Sequence, residues 1–556
     1  MNKILKTALF LATIGLLPSC QQSARGPEKT EEEGGGAGAA VSPKNPGKTV
    51  SPAGSEATPG LPGSAEVKAP ELSADCQEAY DQLQKLRPGI PYVFSDLKRK
   101  PDEIDADLQR SIQLAEKFLA DCGENAYSPG VKVLLARHLS SRYKRQEAVY
   151  KTSLTKQTGL KKLNRTQRAQ IAAQVKALMT AYLDRIEELG QAGLAASKPG
   201  TRDHCEGLSV LADLSFNYLR DNKSHRTLAG QYLAAGCEDI LKGNQDYYYN
   251  ICMSYLRDNR FVEAREYILK VLKDRSDRHQ YAIYNICLFE ALYALGEMEE
   301  LEELMVRIQK EYVERLKDST LPKSIWAQYS QWSMISDFWI GFATYAMGDL
   351  DSARAGFQAY INKTDQLEQQ LGQAGKELPS VVRIYRDFRA RDYSKYIQEF
   401  HGKLPAVEFD AGVEWLTGRP LSFAKLREEG KVLGIIFRQA KNLRALPFLK
   451  LLDTLQKQNP DKFAAATLSF MPRGLAAEAK QQRRDSLRQE LQDNELGLSA
   501  GFDVSDKHQV FRRLHATVGS ASFLIFDSQG KAAWYHVDPT ARDLHTLQRI
   551  ADRLLQ

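Results

Sequence analysis

The chain has 556 residues, 43% of them hydrophobic, with a formal net charge of +6. That length suits two or three domains with ample cores, and so small a charge gives no ground for a nucleic-acid partner. Seven cysteines are present, but none forms a CxxC and no histidine pair has zinc-ligand spacing, so neither a metal nor another cofactor is expected.

At the N-terminus, Lys3 and Lys6 precede an apolar run over 8–17, and Pro18, Ser19 and Cys20 close it. The run falls well short of the roughly 20 apolar residues a membrane-spanning helix needs, and fits the apolar part of a secretory signal. Leu17-Pro18-Ser19-Cys20 resembles the lipobox of bacterial lipoproteins. The resemblance implies that 1–19 is removed and that Cys20 carries the lipid, diacylglycerol with palmitate-type chains. With Gln21 rather than Asp next, it further implies an envelope protein anchored in the outer membrane and facing the periplasm. Residues 20–75 are rich in Gly, Pro, Ser, Ala and Glu with almost no large apolar side chains. Such a stretch buries too little surface to offset its ordering entropy, so it reads as a disordered linker; the glycine run at 34–38 belongs to it and is not a nucleotide loop.

From 76 to 400 the pattern is helical. Ile171, Val175, Leu178, Tyr182, Ile186 and Leu189 recur at spacings of three and four, one stripe on a long helix. In 246–273, Ile251, Cys252 and Leu256 precede a turn at 258–260, and Phe261, Ala264, Ile268, Val271 and Leu272 follow it. This segment resembles a tetratricopeptide repeat. Leu288 to Ile308 and Ile340 to Phe357 look alike, with Leu301 and Ala353 in the small-residue position. The steps of 37 residues (Ala264 to Leu301) and 52 (Leu301 to Ala353) depart from the roughly 34 of the ideal repeat. The expectation is therefore an irregular α-solenoid of helical hairpins, with a non-repetitive bundle as the alternative.

Six cysteines lie in this region, and sequence alone leaves 15 pairings open. Cys76 begins one predicted helix and Cys122 ends the next, and Cys205 and Cys237 bracket another hairpin. Antiparallel helices bring such positions to the roughly 5–6 Å Cα separation of a disulfide. This favours Cys76–Cys122 and Cys205–Cys237, and leaves Cys252 and Cys287 as a third bridge or as two buried thiols. The alternative is six buried thiols.

Residues 401–556 change character. The runs at 432–437, 463–470 and 522–527 are short, apolar and β-rich, separated by amphipathic helices, which is an α/β pattern. Gly402 to Phe409 reads as a first strand, and Gly430-Lys431 leads into the second. Pro447-Phe448-Leu449 opens a helix, and Gly530-Lys531 turns after Phe523–Asp527. This order resembles membrane-tethered thioredoxin-like oxidoreductases and peroxiredoxins, the redoxins. The resemblance implies a CxxC at the helix start and a cis-proline before the late strand. Here Gln439 and Asn442 stand in the cysteine positions, Ala521 stands in the proline position, and no cysteine follows Cys287. Without a thiolate there is no thiol–disulfide exchange.

No other catalytic group replaces it. Gly497-Leu498-Ser499-Ala500-Gly501 fits the GxSxG pattern, but a helical stretch precedes it where a strand is required, so it reads as a loop. His508 and His515 read as surface or capping residues. Arg483, Arg484 and Arg488, with Asp485 and Glu490 among them, read as a solvated helix face.

The expected protein is a non-enzymatic adaptor or scaffold. It is lipid-anchored through Cys20, binds an unknown protein or peptide in the concave groove of its helical repeats, and carries a redox-inactive thioredoxin-like domain. Two rival readings remain. One is a thiol-disulfide or peroxide oxidoreductase using a helical-domain cysteine; the other is a structural subunit of an outer-membrane assembly machine.

Overall fold

The computed structural model describes residues 72–86, 101–157, 165–241, 246–274, 281–318, 323–409 except 374 and 376, 412–439, 445–472, 474–505, 508–516 and 521–556. The expected signal segment, Cys20, the linker up to residue 71 and Asn442 lie outside these residues. Packing divides the chain at Gln245/Asp246 into two units. The helices from Asp246 onward thus pack with the sheet, and the division does not follow the change of sequence pattern at 400.

The first unit is helical. It contains α1 (Ala74–Leu86), α2 (Pro101–Asp121), α3 (Ser128–Gln157), α4 (Arg165–Ala196), α5 (Arg202–Leu214), α6 (Asn222–Ala234) and the short α7 (Cys237–Leu241). A π-turn, Ser215–Leu219, continues α5. Disulfides join Cys76 to Cys122, with Cα atoms 5.9 Å apart, and Cys205 to Cys237 at 5.3 Å. Around the first bridge Leu83, Leu108, Ile112, Phe118 and Leu135 form an apolar core. The α3 and α5 helices run side by side, tied by Arg137–Glu206 at 3.0 Å and Lys144–Asp213 at 2.5 Å. Both pairs are seven residues apart on each helix, so the two helices point the same way. Of the α4 stripe, Ile186 is buried in this core, with Tyr182 and Leu189 packed against it.

The second unit opens with three antiparallel helix pairs: α8 (Tyr247–Arg257) with α9 (Phe261–Asp274), α10 (Tyr281–Leu295) with α11 (Met298–Arg315), and α12 (Lys323–Met347) with α13 (Leu350–Gln373). Their turns share one construction. Asn259, Gly296 and Gly348 adopt left-handed φ values of 57°, 69° and 93°. The next residue's N–H then donates to the carbonyl five residues back, at Tyr255, Leu292 and Thr344. Five residues beyond the left-handed residue come Ala264, Leu301 and Ala353, each wholly buried. Where α12 crosses α13 there is no room for side chains, since a Cβ on Gly356 would lie 2.9 Å from Gly341 Cα. After α14 (Ser380–Tyr385), a π-turn at Arg386–Ala390 and α15 (Arg391–Glu399) complete the helical part.

A mixed sheet of six strands follows. Its elements are β1 (Val413–Thr417), α16 (Phe423–Glu428), β2 (Val432–Arg438), α17 (Leu446–Gln458), β3 (Phe463–Phe470), α18 (Ala477–Asp493) and β4 (Ser499–Asp503). Then come α19 (Gln509–Arg513), β5 (Ser522–Phe526), β6 (Ala532–Val537) and α20 (Leu544–Leu555). The strand order is β1-β4-β3-β2-β5-β6. β2, β3 and β4 are parallel, while β1, β5 and β6 pair antiparallel with their neighbours. Every residue of β2 is buried, as a central strand covered on both faces requires. The α17 helix approaches it over Gly434, where a Cβ would meet Leu452 at 2.5 Å.

Three expectations are corrected. Gly402–Phe409 is not a strand: Gly402 and Lys403 make two strand-like bonds with Ala532, and Pro405, which lacks an N–H, ends the pairing. The first strand is instead Val413–Thr417. The GxSxG segment is not a loop, because Ser499–Asp503 is β4, held between β3 and β1. Nor is the Arg484 side chain merely solvated, since it forks onto Glu414 of β1 at 2.7 and 2.9 Å.

Candidate functional site

Two features of the second unit concentrate polar chemistry: the carboxyl end of β2, and the seam where the helix pairs meet the sheet.

At the end of β2 a redoxin would begin its redox loop. Gln439 follows the strand directly and is exposed. Before it stands Arg438, wholly buried at the end of an otherwise apolar strand. Its Nη1 and Nη2 donate to Glu490 of α18 at 2.9 and 3.0 Å, and its Nε donates to Thr467 of β3 at 3.2 Å. A buried guanidinium persists only when its donors are matched in this way. The pairing ties the strand end to α18 and β3. Across the sheet Ala521 is buried just before β5, and its carbonyl accepts from Asp538 N–H at 2.8 Å. No cis peptide bond occurs among the described residues.

The seam is built on β6, the edge strand. Tyr345, near the end of α12, points its hydroxyl at the Tyr535 backbone. The hydroxyl accepts from Tyr535 N–H at 2.8 Å and donates to Tyr535 O at 3.1 Å. One side chain thus supplies the donor and the acceptor that a neighbouring strand would offer. Beside it, Tyr393 of α15 bonds His536 Nδ1 at 2.6 Å, and His536 Nε2 lies 3.1 Å from Asp543. Tyr293 of α10 donates to the same carboxylate, and Thr540 N–H reaches it at 2.5 Å. Burial raises the Asp543 carboxyl, but His536 and the bonds from Tyr293 and Thr540 outweigh it and bring the pKa down to about 2. Burial pushes the Tyr293 and Tyr393 hydroxyls well up, so both stay protonated donors. This Tyr–His–Asp chain has the parts of an acid–base relay, but His536 and Asp543 are only 1% and 2% exposed.

The terminal helix α20 completes the seam. His545, Arg549 and Arg553 stand at i, i+4 and i+8, on one face. His545 Nδ1 bonds Ala294 O at 2.8 Å, Arg549 donates to Gly296 O at 2.7 Å, and Arg553 donates to Met347 O at 2.6 Å. These carbonyls lie at or just past the C-terminal ends of α10 and α12, where helix acceptors are left unpaired and the dipole favours cations. The first helices of two hairpins, α10 and α12, are thereby fastened to the chain's own terminal helix.

The remaining expected residues are placed as follows. Ser499 donates its hydroxyl to Arg419 O at 2.7 Å, a structural bond. His508 takes the N-cap position of α19 with φ 53°, without a side-chain capping bond. The His515 side chain is only 7% exposed and lies 3.2 Å from Asp392, so it is not a surface group. Of the six helical-region cysteines, four are bridged, and Cys252 and Cys287 are buried free thiols. Among the described residues no group of three or more His, Cys, Asp and Glu side chains has metal-binding geometry, and no helix is long and apolar enough to cross a membrane.

No family model and no curated protein matches the chain. Among solved structures it is similar to a thiol:disulfide interchange protein of the thioredoxin family from Chlorobium tepidum, with 14% identity over 26% of this chain and 95% of that one, TM-score 0.20. A thioredoxin-like superfamily protein is 19% identical over 28% and 97%, TM-score 0.21. BsSco, of the Sco family of cytochrome c oxidase assembly proteins, is 13% identical over 27% and 96%, TM-score 0.19. Likeness of this size assigns no activity to the chain.

Proposed function

We propose that the protein is a non-enzymatic scaffold of the bacterial envelope, tethered by lipid on Cys20, in which a thioredoxin-like domain without thiols is a fixed part of a protein-binding helical framework. The reading is supported above all by the end of β2, where a buried Arg438–Glu490 pair stands in place of reactive chemistry. The absence of cysteine beyond Cys287 agrees with it. So does the seam, which employs the sheet domain as a packing partner for the hairpins.

With the first helices engaged by the sheet, the outer faces of the second helices remain for a protein partner. There Leu269 of α9 and Val306 of α11, equivalent positions 37 residues apart, are both exposed. Photo-crosslinking from Leu269 and Val306 in intact cells, on the lipidated full chain, tests the proposal. A discrete adduct from both positions, lost when Cys20 is replaced by Ser, is the expected result. Turnover of insulin disulfides or peroxide by the purified full chain is the result that refutes it.

A further inference from the structure

Two cysteines are left over from the bridges of the first unit. Cys252 on α8 and Cys287 on α10 are unbridged, and both are 0% exposed. Their helices are the first members of successive hairpins and pack directly together. Both side chains belong to one buried cluster. The Cys252 S–H donates to the Ala264 carbonyl of α9, at 3.8 Å. Burial, and then the neighbouring Cys252, pushes the Cys287 thiol well above its ordinary range. Side chains buried together on directly packed helices need only a local adjustment to bring their sulfurs to bonding distance, with no large movement of the helices that carry them.

We propose that Cys252 and Cys287 form an oxidation site, a dithiol that a disulfide-class oxidant converts reversibly into a third bridge joining two successive hairpins. The exchange balances with a small disulfide as co-reactant. One cysteine gives up its proton, attacks the oxidant's S–S bond and forms a mixed disulfide, releasing one thiolate. The second cysteine attacks the protein-side sulfur, forms the Cys252–Cys287 bond and releases the other thiolate. The two protons from the cysteines end on the two released thiols; the pair loses two electrons and the oxidant gains them. In the closed fold neither sulfur is accessible and the Cys287 thiol is protonated, so the reaction proceeds through opening of the α8–α9 hairpin. Its rate rises with oxidant and then levels off at the rate of opening. The bond ties α8 to α10 across the intervening α9 and restricts further opening of that hairpin.

Oxidised glutathione and the full-length chain provide the test. Before treatment, iodoacetamide is expected to label neither thiol under native conditions, and Cys252 and Cys287 together in denaturant. After treatment, a non-reducing digest should yield one peptide pair joining Cys252 to Cys287. The protein should be two hydrogens lighter, with neither Cys252 nor Cys287 left to label. Proteolysis within 246–274 should slow on the order of tenfold or more, and dithiothreitol should restore both thiols. Cys252→Ala should leave Cys287 unable to form any intramolecular bridge. Hydrogen exchange on α8, followed in the same incubation, shows whether the hairpin has opened. Two labelled thiols after α8 has exchanged overturn the proposal. So does a bridge from either residue to another cysteine, or a mixed disulfide that persists on either one.

Discussion

Arg438 carries a charge in a place water does not reach, and its worth depends on Glu490 remaining opposite. Removing one partner of a buried pair leaves an uncompensated charge, which costs roughly 3–5 kcal/mol, whereas an apolar replacement of both is close to neutral. The loss is unequal between the two, because the Arg438 side chain is 0% exposed and that of Glu490 is 13% exposed. Glu490→Leu is therefore expected to destabilise more than Arg438→Met, and the double substitution should recover most of the loss. Urea unfolding of the three variants measures this. Asp543 makes a second residue-scale prediction. Its carboxyl falls from the ordinary 3.8 to about 2 in the fold, so the folded state binds the proton less readily than the unfolded one. The associated stability, roughly 2 kcal/mol, is fully present above pH ~4 and is lost as pH falls through about 2. Asp543→Asn should be less stable than the native chain at pH 6, with the gap narrowing between pH 4 and 2, as read from urea midpoints.

At the scale of elements, the turns between helices do two things at once. Gly296 has φ 69°, and a Cβ there would lie 3.1 Å from Thr546 N in α20. Gly430 has φ 65° with nothing within 4 Å of a Cβ. Gly430→Ala should thus cost only the conformational penalty of about 1–2 kcal/mol. Gly296→Ala should cost more and should also speed hydrogen exchange in α20. Much of this architecture was legible from sequence. The β2, β3 and β5 runs are continuous apolar stretches with a single reading, and the small residues after the hairpin turns mark close helix approach. Leu301 was legible only by position, since a large side chain stands where alanine was expected. β4 was not legible, because Ser-Ala-Gly-Phe-Asp carries little apolar signal and becomes a strand only between β3 and β1. Nor was the seam, although His545, Arg549 and Arg553 at helical spacing were its visible sign. What they bind are carbonyls about 200 to 250 residues away in sequence, and backbone acceptors leave no trace in side-chain pattern.

For the second unit as a whole, helices and sheet share one core. Tyr293, Trp339, Phe342, Tyr345 and Tyr393 on the helical side continue into Trp534, Tyr535 and Leu547 on the other. A fragment cut at residue 402 would lose the cover of β6 and α20 and expose an edge strand with its aromatic side chains, the arrangement that invites strand pairing between molecules. Residues 402–556 alone are expected to self-associate, while 246–556 should remain monomeric and resist proteolysis. Size-exclusion chromatography of the two fragments distinguishes these outcomes.

The staple formed by α20 also has a direction. Its three anchoring side chains are spaced about 6 Å apart along the helix axis, and Arg553 is the one nearest the chain end. Tension applied at Gln556 away from the hairpins falls on them singly, Arg553 first, then Arg549, then His545, so the helix unzips at low force. Tension along the helix axis loads all three in shear together. The same attachment is weak against peeling and strong against sliding.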